Sequence, residues 1–236
     1  MTNKAFGSLI SNFVICAVVI IVFAVSFFPN LTTVSSNAPI SKGDSKTKVS
    51  LMINVYWGTE YIDEMLKIFD EYDVNTTFFV GGMWACENEP MLKKIFLHGH
   101  EIGNHGYYHK DHKQIDYARN KQEIEVTHKI VKEILGIDMT LFAPPSGSYG
   151  DNTLAVATEL GYQTIMWTFD TIDWRDQDES LIIKRATKKI SGGALVLMHP
   201  TKATVEALDD ILDLIISKGL IVAPVSEVIA SSQVNS

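Results

Sequence analysis

Four short stretches of this chain carry side chains that could do hydrolytic or metal chemistry. His105 and His109 stand at i and i+4, where two imidazoles on one helical turn can share a metal ion through nitrogen. Phe142-Ala143-Pro144-Pro145-Ser146-Gly147 sets paired prolines and a glycine after a strand, which makes a rigid loop. Asp170-Thr171-Ile172-Asp173-Trp174 places two carboxylates beside an aromatic ring, and Leu197-Met198-His199-Pro200 ends an apolar run in a group that titrates near neutral pH. Each stretch also has a bland reading: a solvated loop in a chain of seven histidines, a simple turn, an exposed acidic loop, and a satisfied core histidine.

The elements that must position these groups follow from periodicity. Val49 to Val55 is a strand candidate, and Ile62, Met65, Leu66 and Phe69 fall on one face of a helix. Thr76 to Val80 reads as a second strand, and Pro90 to His98 as a short helix with proline near its start. A strand at Glu101-Ile102 precedes the histidine pair. The charged segment from Tyr117 to Leu135, closed by Gly136, is the longest helix. A strand near Leu141, a helix near Leu154 to Leu160 and a strand at Gln163 to Trp167 follow. A helix over Ser180 to Lys189, a buried strand at Ala194 to Met198, a helix from Val205 to Lys218 and a strand at Leu220 to Val222 complete the series. Strand and helix alternate about seven times, which predicts an α/β fold with a parallel sheet, open or closed into a barrel. In a closed barrel the chemistry sits at the strand C-termini.

Composition bounds the rest. At 236 residues, 46% apolar and 20% charged, the chain can bury a sizeable core. The net charge of −8 implies no basic face, so nucleic acid is not an expected partner. Two cysteines, Cys16 and Cys86, exclude a disulfide framework and a cysteine-based zinc site. From Ala5 to Ser41 there is no charged side chain, and Leu9 to Phe28 supplies roughly the 20 apolar residues of a membrane-spanning helix. Ala24-Val25-Ser26 is a poor cleavage site, so residues 1–29 are expected to be an uncleaved signal anchor. That predicts a single-pass cell-membrane protein with its globular part on the extracytoplasmic side; Lys4 gives the orientation a weak positive-inside vote. Residues 30–48 read as a flexible linker, 49–228 as the folded domain and 229–236 as a tail.

Taken in order, the four stretches resemble the NodB-type polysaccharide deacetylases, carbohydrate esterase family 4, over residues 49–228. His105 to His109 is similar to the family's metal-binding H-[S/T]-x-x-H, with Gly106 at the Ser/Thr position. The loop at 142–147 resembles R-P-P-Y-G, the stretch at 170–174 resembles D-x-x-D-W, and Leu197-Met198-His199 resembles L-x-H. Phe78-Phe79-Val80 also matches the T-F-F-[V/L] strand. The resemblance implies a distorted (β/α) barrel of about seven parallel strands, here preceded by one transmembrane helix.

It also implies metal-dependent hydrolysis of N-acetyl groups on a wall polysaccharide of amino sugars. A divalent ion, usually zinc, polarises the acetyl carbonyl and its bound water. His105 and His109 would then be metal ligands and His199 the general acid, its protonation held by a carboxylate that is taken to be Asp170. Trp57, Tyr107, Pro145 and Trp174, with Tyr108, would contact sugar.

Two positions depart from that pattern. The first motif, T-F-D-D-G in the family, reads Met52-Ile53-Asn54-Val55-Tyr56-Trp57-Gly58 and holds no carboxylate. Its likeness to T-F-D-x-x-W-G tilts the expectation towards peptidoglycan in a spore-forming bacterium, and puts Asn54 where the base aspartate belongs; aligning on Gly58 instead puts Tyr56 and Trp57 over the two aspartates, and neither alignment restores an acid. Ala143 occupies the place of the arginine that orients that base. An amide takes up no proton near neutral pH, so Asn54 can orient water but cannot serve as a base. A third metal ligand would have to come from Asp111, Asp173 or Glu60. Two readings therefore stand side by side: a deacetylase with an altered base, or a degenerate, membrane-tethered domain that binds glycan or a protein without turnover. A different hydrolase on the same scaffold is a third.

Overall fold

The computed structural model describes residues 38–230, within a compact unit that runs from Asn37. The proposed anchor at 1–29 and most of the tail lie outside the described residues. No helix among the described residues is long and apolar enough to cross a membrane.

The first strand, β1 (Lys48–Val55), is buried on both faces, the usual state of a central parallel strand. Its side chains alternate. Leu51, Ile53 and Val55 join the cluster beneath the helices, while Met52 joins a smaller inner cluster with Phe79, Leu141, Ala143, Ile165 and Leu195. Asn54 shares the inward parity of Met52 and opens at the strand's C-terminal end.

After β1 come α1 (Thr59–Glu71), β2 (Thr77–Val80), α2 (Gly82–Glu87), α3 (Glu89–Leu97) and β3 (Glu101–Asn104). Helix α1 buries Ile62, Met65, Leu66 and Phe69 together with Ile68, the stripe its periodicity dictates. Helix α4 (Tyr117–Leu135) starts at Asp116, whose side chain accepts from the Arg119 N–H, and stops at Gly136 in the left-handed region. Then follow β4 (Leu141–Phe142), a 3-10 turn (Pro145–Gly147), α5 (Asp151–Glu159), β5 (Gln163–Thr164) and β6 (Phe169–Asp170). The chain finishes with α6 (Asp173–Asp176), α7 (Glu179–Thr187), β7 (Leu195–Met198), α8 (Lys202–Ser217), β8 (Ile221–Val222) and α9 (Val225–Ile229).

All strands pair in parallel, in the order β5-β4-β3-β2-β1-β7-β6, and β8 joins the first two residues of β1. Seven strands on one curled, open path fit the parallel sheet that alternation predicts, and form a half-barrel in place of the closed form of the distorted barrel that the resemblance implies. Strand β6 was not foreseen, because two residues are too few to show a period, and the strand expected over Gln163 to Trp167 is shortened to its first two residues.

Strands β5 and β6 do not pair with each other. Residues 40–43 bridge that side of the sheet instead. The Ile40 N–H donates to the Thr164 carbonyl at 2.9 Å, the Met166 N–H to Ile40 at 2.8 Å, and the Gly43 N–H to Gly193 at 2.8 Å. The reading of residues 30–48 as flexible tether therefore needs correction over 40–48. Composition described side chains rich in Ser and Lys, whereas main-chain groups make these bonds, and Ile40 packs on the inner cluster. The passage is tight: a Cβ on Gly192 would come within 2.1 Å of the Lys46 carbonyl oxygen.

Candidate functional site

The C-terminal ends of β1, β3, β6 and β7 converge on a cavity of about 450 Å³. It is lined by Asn54, Tyr56, Trp57, His105, His109 and His199, among others, and closed on its far side by Ser146, Gly147, Trp167, Asp170 and Trp174. Tyr107 and Pro145 do not line it. Tyr107 turns away against Gly82, and Pro145 is buried behind Gly106.

His105 follows β3 directly and is 2% exposed. Its Nδ1–H donates to the Ala143 carbonyl at 2.7 Å, which leaves the Nε2 lone pair for the cavity. Burial, and then the neighbouring His109, holds its pKa well below the ordinary imidazole value, so the ring is neutral. The His109 ring meets it edge-on at 5.2 Å, and burial lowers that pKa too. Each imidazole is in the form a metal would need.

The loop between them is fixed from α4. Glu123, 1% exposed, accepts the Tyr107 N–H at 2.8 Å and the Tyr108 N–H at 2.6 Å, and pairs with Arg119 at 2.7 Å. The motifs do not point to this residue. Helical spacing could have done so, since Glu123 shares the buried face of Asn120, Ile124, Thr127 and Val131.

His199, just past β7, is held by a carboxylate, but the residue is Asp173 and not Asp170. Asp173 is fully buried and accepts four hydrogen bonds: from the His199 Nδ1–H at 2.8 Å, the His199 N–H at 2.6 Å, the Thr204 hydroxyl at 2.7 Å and the Trp174 N–H at 2.8 Å. The turn of α6 brings the second aspartate of the stretch, not the first, beneath the ring. Asp170 faces the cavity, accepts from the Ile172 N–H at 2.8 Å, and has its pKa raised by burial. Trp57, 45% exposed, stacks over His199 at 5.8 Å with 7° between the rings. Trp174 at 51% exposure stands on the same rim.

Asn54 is 4% exposed, and its Oδ1 is fully buried without a hydrogen-bond partner. Nor does its Nδ2 find a partner among the described residues. Ala143 brings no side chain to it; only the Ala143 carbonyl takes part in the site, by orienting His105.

The metal can be tested against this donor set. His105 and His109 suit zinc, but hydrolytic zinc sites are built from three protein ligands. Asp173 is committed to His199. Asp111 is exposed and bound to Ser148, and Glu60 is exposed on α1. Among the described residues no third histidine, cysteine or carboxylate joins the pair. The set does not fit a hydrolytic metal centre.

The family model for polysaccharide deacetylases matches residues 41–165. This chain belongs to the polysaccharide deacetylase family. Among curated relatives, the uncharacterized protein YlxY of Bacillus subtilis is 40% identical over 80% of this chain and 60% of its own length. The peptidoglycan-N-acetylmuramic acid deacetylase PdaA of the same organism is 28% identical over 71% of this chain and 66% of its own. This chain thus spans less than two thirds of either protein. Among solved structures, wild-type BA3943 of Bacillus anthracis, described as a family 4 pseudoenzyme, is 38% identical with a TM-score of 0.80, covering 83% of this chain and 70% of that one.

Proposed function

We propose that this domain binds an N-acetylated wall glycan of the peptidoglycan type in the cavity around Asn54, and that it does not carry out the family's metal-assisted hydrolysis. The observation that carries the reading is the base position. It holds a buried amide, with alanine at 143 and, among the described residues, no third ligand beside His105 and His109. General base catalysis contributes about 10²–10⁴-fold, and an amide supplies none of it. The exposed faces of Trp57 and Trp174 offer sugar-stacking surfaces at the cavity mouth. The likeness to BA3943, named as a pseudoenzyme, supports the same reading, and a mutant of that protein is described as having restored enzymatic activity. Peptidoglycan lies outside the cytoplasmic membrane, so this reading places the domain there, held by residues 1–29 as a single-pass anchor; the first motif's likeness to spore-former sequences supports a role in a spore-forming bacterium.

A second reading, retained deacetylation, rests on the Asp173–His199 pair, since a binding domain has no need of a buried carboxylate behind a proton donor. Acetate release separates the two. The full chain would be incubated with N-acetylglucosamine oligomers and with peptidoglycan, in added zinc or cobalt, beside a His199→Ala control and an active relative. The expected result is binding of glycan with no acetate above the control. Acetate that disappears in the control would establish the hydrolase.

A further inference from the structure

Helix α7 departs from the charge pattern of the other helices. Lys67 and Glu71 on α1, Glu89 and Lys93 on α3, and Lys202 and Glu206 on α8 set opposite charges four residues apart, which supports a helix. On α7 and the turn that ends it, Lys184 and Lys188 stand four apart, as do Arg185 and Lys189, and like charges at that spacing oppose the helix. Among the described residues Lys184, Lys188 and Lys189 make no ion pair. The helix dipole does not call for three of them, because Lys218 already donates to the Thr187 carbonyl at the C-terminal end.

These four cations rim a cavity of about 350 Å³ floored by the half-buried Phe169 and Leu181. Strand β6 turns Asp170 to the strand-end cavity and Phe169, its neighbour, to this one. Leu181, Lys184, Arg185 and Lys188 share one helical face. Arg185 is fixed in place and its charge is balanced: its guanidinium donates to the Thr171 carbonyl at 2.8 Å and to Asp176 at 2.6 Å. The three ammonium groups have no such balance, since no carboxylate is among the described lining residues.

A phosphate monoester carries a charge of about −1.5 to −2 at pH 7 and three acceptor oxygens, one for each ammonium. A carboxylate brings less charge and two oxygens. Inorganic phosphate would leave Phe169 and Leu181 in water. The volume falls in the range of small-molecule sites, roughly 300–1,000 Å³. We propose that this cavity is a second ligand site, for a small organic phosphate whose dianion sits among Lys184, Lys188 and Lys189 and whose apolar or planar body lies on Phe169 and Leu181. It does not depend on what occupies the strand-end cavity.

The test is a calorimetric titration of the full chain, kept in nonionic detergent, with phenyl phosphate, inorganic phosphate, sn-glycerol 3-phosphate (the headgroup a lipid would present) and phenol. Phenyl phosphate is expected to bind at least about tenfold more tightly than either of the other phosphates, the gain from covering the apolar floor. Phenol is expected not to bind over the same range, and added salt to weaken the phosphate. Lys184→Gln and Lys188→Gln are each expected to weaken phenyl phosphate about tenfold, the loss of one hydrogen bond to a charged group. Lys129→Gln, which replaces an exposed lysine on α4 outside this cavity, is expected to change nothing. All three positions are exposed, and melting temperatures close to the parent's show that the variants are folded. An equal loss in Lys129→Gln would reduce the binding to net charge and overturn the site. Inorganic or glycerol phosphate binding as tightly as phenyl phosphate would overturn the apolar floor, and with it the ligand class. No binding of phenyl phosphate would overturn the proposal outright.

Discussion

Asp173 grips His199 twice, once through the ring and once through the main chain: Oδ1 accepts from Nδ1 at 2.8 Å and Oδ2 from the residue's own N–H at 2.6 Å. The pair fixes the rotation of the ring and the end of β7 together. Thr204 and Trp174 supply the remaining donors, so the buried charge is fully solvated by the protein.

Asp173→Asn keeps one acceptor oxygen and turns an NH₂ group towards donors. The expected cost is about 3 kcal/mol of folding stability, from charge-assisted bonds lost in a buried site. Thr204→Val removes one of the four and is expected to cost about 1 kcal/mol. Chemical denaturation of both variants checks the ranking; equal midpoints for Asp173→Asn and the parent would show that the carboxylate is dispensable to the fold.

Glu123→Ala strips the Tyr107 and Tyr108 amides of their acceptor and leaves Arg119 without its partner. Stability is expected to fall by about 1–3 kcal/mol, the cost of main-chain donors left without their acceptor, since Arg119 is partly exposed and keeps its bond to Gln122. Hydrogen exchange at residues 106–109 reads the effect locally, and should speed up in Glu123→Gln, which keeps one acceptor, by less than in the alanine variant.

His100 sets an acid limit. It is packed against Phe69 and Phe78, accepts the Thr76 N–H at 3.2 Å, and burial pulls its pKa down from 6.5 to about 4. The folded protein keeps this ring neutral while the unfolded chain protonates it below about pH 6.5. Its contribution is therefore complete above pH 6.5, is lost as pH falls from 6.5 to about 4, and changes no further below. The loss is about 3 kcal/mol across that window. His100→Gln should flatten the stability profile between those limits; an unchanged slope would remove His100 from the account.

Zinc retention tests the two-imidazole set. The dialysed protein is expected to hold well under one zinc per chain, and Asn54→Asp, which puts an anionic oxygen into the same cavity, should raise the figure. A full equivalent in the parent that vanishes in His105→Ala would mean that a third ligand assembles when metal arrives.

Much of the frame is legible from periodicity alone, because long elements carry many repeats of their pattern. Helix α4 has the bounds that its cap residues dictate, and α1 buries the stripe its spacing foretells. Strand β6 and helices α2, α6 and α9 are too short for a period to show, and tertiary pairing makes them. Within the site, the strand-end histidines and Asn54 are readable because strands β1, β3 and β7 point at them. The choice between Asp170 and Asp173 is not readable, since it depends on how one turn of α6 rotates. Glu123 lies far from any motif and acts through main-chain amides, which leave no trace in residue spacing.

The bridge at residues 40–43 gives the site a mechanical address. Tension on the chain ahead of residue 38 is borne by the bonds of Ile40 to Thr164 and Met166, one residue from Trp167 in the cavity wall. It arrives at β1 only after passing Gly43 and its bond to Gly193. A pull from that side would strain the rim of the pocket before it strained the core.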